Sequence, residues 1–251
     1  DGAQTPGLQD VTVCWNSYPD APTLTAPENN VWTTDNRPSF EWDFNDDCPG
    51  AVQAGFRIVL DDVDTFIGIN YDSGIQESTT SQWQFPFVIP DGGWFWKCCT
   101  KNNYGLWGDT STYRILKVDT TPPDVPIMKT ELEVTVGDGN EVFWYPAGDG
   151  DGRGGVEYYV ECSSDSGFAW VTKHSDGWTT KESWNFTGLS DGVTYYYRAR
   201  AQDALGNRSE YSPWVWSRQY NPIITNYYAS PDPFSPNDDR TEDETKIYYT
   251  L

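Results

Sequence analysis

Apolar and polar residues alternate along most of the chain, in short runs broken by clusters of Gly, Pro, Asn and Asp. Ser39-Phe-Glu-Trp-Asp-Phe44 alternates in this way, and Gly55-Phe-Arg-Ile-Val-Leu60 repeats the pattern after an acidic loop. Further runs cover 82–87, 94–100 and 113–118, and a second series covers 141–145, 156–162, 183–186, 195–201 and 214–217. A period of two bounded by turn residues predicts strands. No segment sustains a helical period, and about seven strands per 100 residues predict a two-sheet sandwich.

The two series are copies of one another. Trp42, Phe56, Ile58, Leu60 and Phe66 fall on Trp144, Tyr158, Val160, Cys162 and Phe168 at an offset of 102. Farther along, Trp83 and Phe85 meet Trp184 and Phe186, and Asp91-Gly92 meets Asp191-Gly192. Trp94, Trp96 and Cys98 then meet Tyr195, Tyr197 and Ala199. A period this long describes whole modules in tandem and not a solenoid of short units. The expected division is an extension over 1–19, domains over 20–121 and 122–222, and a further piece over 223–251.

Gly188-Leu-Ser-Asp-Gly-Val-Thr-Tyr-Tyr-Tyr-Arg-Ala-Arg-Ala-Gln-Asp-Ala-Leu-Gly-Asn207 resembles strand F of fibronectin type III domains and the loop after it. Leu189, Tyr195, Tyr197, Ala199 and Ala201 match the family pattern, in which a Tyr opens a strand whose alternate residues enter the core. The first repeat departs by placing Trp94 at the Tyr and Cys98 at a small residue. The resemblance covers about 20–222 and implies an all-β pair of Ig-like, fibronectin type III-like sandwiches. The junction Val118-Asp-Thr-Thr-Pro-Pro-Asp-Val-Pro126 is similar to those between modules of long extracellular arrays of prokaryotes. Consecutive prolines fix extended backbone, so a short, stiff joint is expected. Ser230-Pro-Asp-Pro-Phe-Ser-Pro-Asn237 and the run 245–251 resemble the opening of an Ig-like module found in flagellar hook-capping proteins and secreted surface proteins, with Asp238 and Arg240 in place of usual glycines.

Composition narrows the function classes. The chain carries 16 basic against 38 acidic residues, a net charge of -22, which excludes a phosphate-binding surface for nucleic acid and disfavours anionic membranes. No stretch approaches the length of a bilayer span, so membrane insertion is not expected. No initiator Met or signal-like segment precedes Asp1, and the chain reads as a mature or excised piece of an extracellular or secreted protein. Residues 8–15 alternate as one more strand with no evident partner. That run and 245–251 are candidates for strand addition to a second copy.

Of the five cysteines, Cys98 and Cys162 occupy core positions of the repeat and are expected to be buried thiols. Cys14, Cys48 and Cys99 remain for one bridge. The loop holding Cys48 is expected near the end of the strand holding Cys99, which favours that pair over one with Cys14. A vicinal Cys98–Cys99 bridge is disfavoured because the two face opposite ways.

Catalytic chemistry is poorly represented. The single histidine, His174, lies in a turn-like region with no nucleophile signature near it, so no enzyme activity is expected. No cofactor is required for folding, and calcium is the candidate ligand. Asp149 and Asp151 lie in the loop equivalent to that of Asp46 and Asp47, while Asp61, Asp62 and Asp64 cluster after the third strand. Asn237 and Asp239 form a third group. Close carboxylates with Gly for tight turns suit a hard cation, although the EF-hand pattern fails at Arg153 and Val160. Phe95, Tyr159 and Tyr196 alternate with core residues and, with Trp214 or Trp216, offer a glycan platform or a contact with a neighbouring module. Asn185 and Asn207 head N-glycosylation tripeptides, and Asn185 is expected to face solvent. The sequence points to a rigid structural unit of a cell-surface, sheath or filament protein, whose partners are neighbouring modules or copies of itself. An adhesive, carbohydrate-binding accessory region of a secreted enzyme is the alternative.

Overall fold

A computed structural model of the chain describes residues 17–150, 155–221, 225–230 and 246–250. The chain divides into two compact units, Asp1–Thr121 and Pro122–Leu251. Unit 1 contains β1 (Thr23–Ala26), β2 (Val31–Thr33), β3 (Phe40–Asp43), β4 (Gln53–Asp61), β5 (Tyr71–Asp72), β6 (Gln82–Trp83), β7 (Gly92–Asn102) and β8 (Arg114–Val118). These form one sheet in the order β1-β3-β6 and another in the order β2-β8-β7-β4-β5. All pairings are antiparallel except β2 with β8, which run parallel.

Unit 2 repeats the plan with β9 (Ile127–Met128), β10 (Val134–Val136), β11 (Gly139–Tyr145), β12 (Glu157–Ser163), β13 (Lys173–His174), β14 (Ser183–Thr187), β15 (Thr194–Gln202) and β16 (Val215–Tyr220). Its sheets run β9-β11-β14 and β10-β16-β15-β12-β13, with β10 and β16 parallel. This three-on-five strand order is that of a fibronectin type III-like sandwich, present twice. A separate hairpin joins β17 (Thr225–Ser230) to β18 (Lys246–Thr250). The strand predicted at residues 8–15 and most of the segment resembling an Ig-like opening lie outside the described residues.

Each unit has its own core at the repeat positions. Phe40, Trp42, Phe56, Ile58, Leu60, Trp96 and Cys98 are buried in unit 1, and Val142, Trp144, Val160, Cys162, Tyr197 and Ala199 in unit 2. The strict alternation of β7 and β15, one residue in and one out, is what the sequence period demands. The corner before each of these strands is fixed by its first large side chain. Tyr195 accepts a hydrogen bond at its hydroxyl from the Ser190 amide at 3.0 Å. In unit 1, Trp94 holds the same corner from the donor side, its indole N–H reaching the Pro90 carbonyl at 2.8 Å.

The cysteines separate as their facing requires, but the expected Cys48–Cys99 bridge does not form. Cys99 is a free thiol aimed at the Arg57 carbonyl at 3.9 Å, opposite Arg57 in the β4/β7 ladder. The Cys48 loop does lie at an end of the Cys99 strand, the Asn102 end of β7, where Asp46 takes a hydrogen bond from the Asn102 side chain. Cys99 stands three residues of strand, about 10 Å, inside that end. Burial pushes the Cys98 thiol far up and the Cys162 thiol to about 12, so neither is a nucleophile at neutral pH. Cys14 lies outside the described residues.

Candidate functional site

The outward face of each five-stranded sheet carries the polar and aromatic residues that alternation keeps out of the core. In unit 1 the Lys97 ammonium sits 3.9 Å from the centre of the Phe66 ring, and Phe95 meets Tyr113 edge-on at 5.1 Å and 88°. Unit 2 has both devices at equivalent positions. Arg198 lies 4.0 Å over Phe168, and Tyr196 meets Trp214 edge-on at 5.0 Å and 80°. The two phenylalanines also share a left-handed backbone, with φ of 54° and 51°, which a bulky side chain adopts only when its surroundings hold it there.

Unit 2 extends this pair into a ladder. Arg198 also lies 3.9 Å over Tyr211, Arg200 stacks against Tyr211, Tyr159 and Trp178, and Arg208 covers Trp178 from beyond. Glu161 ties the ladder to β12, accepting from Arg198 at 2.9 and 2.7 Å and from the Tyr211 hydroxyl at 2.7 Å. Desolvation, and then the nearby Glu161 carboxylate, push the Tyr211 phenol up to about 12. Tyr159 is further stacked on His174 at 5.6 Å and 24°. His174 therefore sits on the edge strand β13 and not in a turn. Its ring nitrogen lies 2.7 Å from the Ser175 carbonyl, and no nucleophile is assembled with it among the described residues.

These contacts decide what the expected glycan platform is. Phe95, Tyr196 and Trp214 are set perpendicular in pairs, and Tyr159 has its faces taken by His174 and Arg200. They do not form a flat row. Trp214 and Trp216 keep 45% and 40% of their surface open, so these two are the exposed members of the expected platform. Alternation along the sequence points Phe95, Tyr159 and Tyr196 outward but does not show their meeting with Arg198, Arg200, Trp178 or Tyr211, because that depends on register between strands and on where the loops fall.

A second feature recurs at the exit of each sandwich. Asp91 accepts from the Thr120 amide at 3.0 Å, from its hydroxyl at 2.8 Å and from the Thr121 hydroxyl at 2.6 Å. The Asp119 carboxylate adds a bond from the Thr121 amide at 3.1 Å. Asp191, which the repeat places on Asp91, accepts from the Asn221 amide at 2.8 Å. On the far side of the junction, the Asp124 amide is bonded to the Gly148 carbonyl at 2.8 Å within unit 2. The Asp-Gly pairs legible as turns are thus clamps on the outgoing chain.

The acidic loops are mostly spent on such local tasks. Asn45 donates to the Ala21 carbonyl and the Thr23 hydroxyl, and Asp46 accepts from the Cys48 amide and the Asn102 side chain. Asp47 and Asp64 are exposed. Among the described residues, no three carboxylate, histidine or cysteine groups converge on a metal-holding arrangement. Asp149 is described, whereas Asp151, Asn237 and Asp239 lie outside the described residues. Asn185 is exposed on β14, as expected. Asn207 donates its side-chain amide to Asp203 at 2.8 Å, and Ser209 caps the Ala201 amide at 2.9 Å, so that tripeptide builds the turn after β15.

No family model matches the chain, and no curated protein is significantly similar to it in sequence. Among solved structures, the chain is similar to the fibronectin(III)-like modules of Clostridium thermocellum CbhA, at 10% identity and a TM-score of 0.43 over 80% of this chain and 94% of that one. It is also similar to the FN1-FN3 domains of chicken CNTN1, at 13% identity and a TM-score of 0.33 over 92% and 85%. The strand order of each unit, and not these likenesses, makes the chain a tandem pair of fibronectin type III-like sandwiches. Among the described residues, no helix is long and apolar enough to cross a membrane.

Proposed function

We propose that this chain is a non-enzymatic extracellular module, a stiff spacer within a cell-surface, sheath or filament protein, joined to neighbouring modules or to copies of itself. The observation that carries this reading is the clamp at each exit. Asp91 holds Thr120 and Thr121 on unit 1, and the Asp124 amide is held on unit 2, which leaves Pro122-Pro123 as the stretch between anchored residues. Two prolines have φ fixed by their rings and no amide to donate, so little freedom remains. The repetition of the clamp at Asp191 and Asn221 suits a unit built for serial use. The acidic surface keeps such a chain soluble through self-repulsion.

Backbone amide relaxation of the intact chain tests this. A spacer shows one rotational correlation time shared by both units and fitting a body of 251 residues. Two separate times, each fitting a single sandwich, would overturn it.

A further inference from the structure

The outer end of β4 buries a carboxylate that no cation answers among the described residues. Asp61 is 1% exposed, and among the described residues its Oδ2 has no hydrogen-bond partner. The other oxygen, Oδ1, accepts from the Asp62 amide at 3.0 Å. Asp61 points away from the core with Arg57 and Val59, and the 62–70 loop covers this face by laying Phe66 under Lys97. A carboxylate buried away from water is costly to keep ionised unless it is paired. Lys97, on the same face of the adjacent strand, directs its ammonium to the Phe66 ring instead.

The immediate neighbours add oxygen and negative charge. The Asn70 amide faces both carboxylates. Turned with nitrogen inward, it donates to Asp62 Oδ1 at 3.1 Å and to Asp61 Oδ1. Turned with oxygen inward, it accepts from the Asp62 amide at 3.3 Å and joins its oxygen to those of the two carboxylates. Neither orientation gives Asp61 Oδ2 a donor. Asp62 and Asn70 are exposed, so solvent ions have access to the cluster.

The second repeat shows that the fold does not require a carboxylate here. Ser163 stands at the position of Asp61, fully buried. Its hydroxyl donates to the Trp170 carbonyl at 2.7 Å and accepts from the Asp165 amide at 2.9 Å, leaving nothing unpaired.

We propose that Asp61, Asp62 and the Asn70 side-chain oxygen hold a calcium ion in the β4–β5 loop of unit 1, with backbone carbonyls and water completing the shell. All three donors are hard oxygens on an irregular loop, which suits the variable coordination of calcium better than the strict octahedron of magnesium. With two carboxylates, the site belongs to the weak class of extracellular calcium modules, with a Kd of roughly 10⁻⁴–10⁻³ M. The site stands independently of the spacer reading.

Calorimetric titration with Ca2+ of the full chain and of Asp61→Ser, which imports the residue of the second repeat, tests the proposal. The wild type takes up one more calcium ion than the variant, and calcium raises the thermal midpoint of unit 1 in the wild type alone. Asn70→Ala keeps the buried carboxylate and weakens the same site, which covers the case in which Asp61→Ser does not fold. Titrations of either variant identical to the wild type in stoichiometry and affinity would overturn the assignment.

Discussion

Arg198 has its charge answered from three directions, by the Phe168 and Tyr211 rings and by the Glu161 carboxylate. Its side chain is 24% exposed and that of Glu161 10%, so this pair is shielded where the Arg57–Asp72 pair, at 44% and 37%, is open. Removing one partner of a shielded pair leaves the other charge stranded. Arg198→Ala is therefore expected to destabilise unit 2 by about 3 kcal/mol, read as a lower urea midpoint for that unit. Arg57→Ala in unit 1 is expected to cost under about 1 kcal/mol. At this scale the sequence is legible in direction and silent about company. Alternation places Phe95, Tyr159 and Tyr196 outward, as they are. It places Asp61 outward too, but the loop carrying Phe66 covers that face, so an outward residue is buried. The Cys48–Cys99 pairing fails although the loop does lie at the nearer, Asn102 end of β7, because Cys99 stands three residues inside that end, opposite Arg57.

The strands show how far one sequence can depart from its own repeat and keep an element. The first large side chain is Trp94 in β7 and Tyr195 in β15, and each ties its corner to backbone, one as donor and the other as acceptor. The apolar period made the equivalence visible, whereas the reversed polarity of the hydrogen bond depends on which backbone group the corner presents. Trp94→Phe removes that bond and part of the packing, and is expected to lower the stability of unit 1 by about 1–2 kcal/mol, measured by denaturant unfolding of the intact chain. The polar staples survive better. Ser111 and Ser212 cap the Cys98 and Ala199 amides, and Ser73 and Ser175 cap those of Ile58 and Val160. Short strands such as β5 and β13 were not legible, because two residues of ladder leave no periodic signal.

At the scale of the molecule, the repeat at about 101 residues predicts two cores, and each unit carries its own. The consecutive prolines pointed to a stiff joint; the clamps that anchor its two ends were hidden in Asp-Gly pairs indistinguishable from ordinary turns. Because these clamps carry the spacer reading, they set the most direct test. A spin label on each unit, introduced through noncanonical residues so that the native thiols are untouched, reports the distribution of distances between the units. The account predicts one narrow distribution for the wild type and a clearly broadened one for Asp91→Ala, which removes the bonds from the Thr120 amide and hydroxyl and from the Thr121 hydroxyl. A wild-type distribution as broad as that of the variant would contradict it.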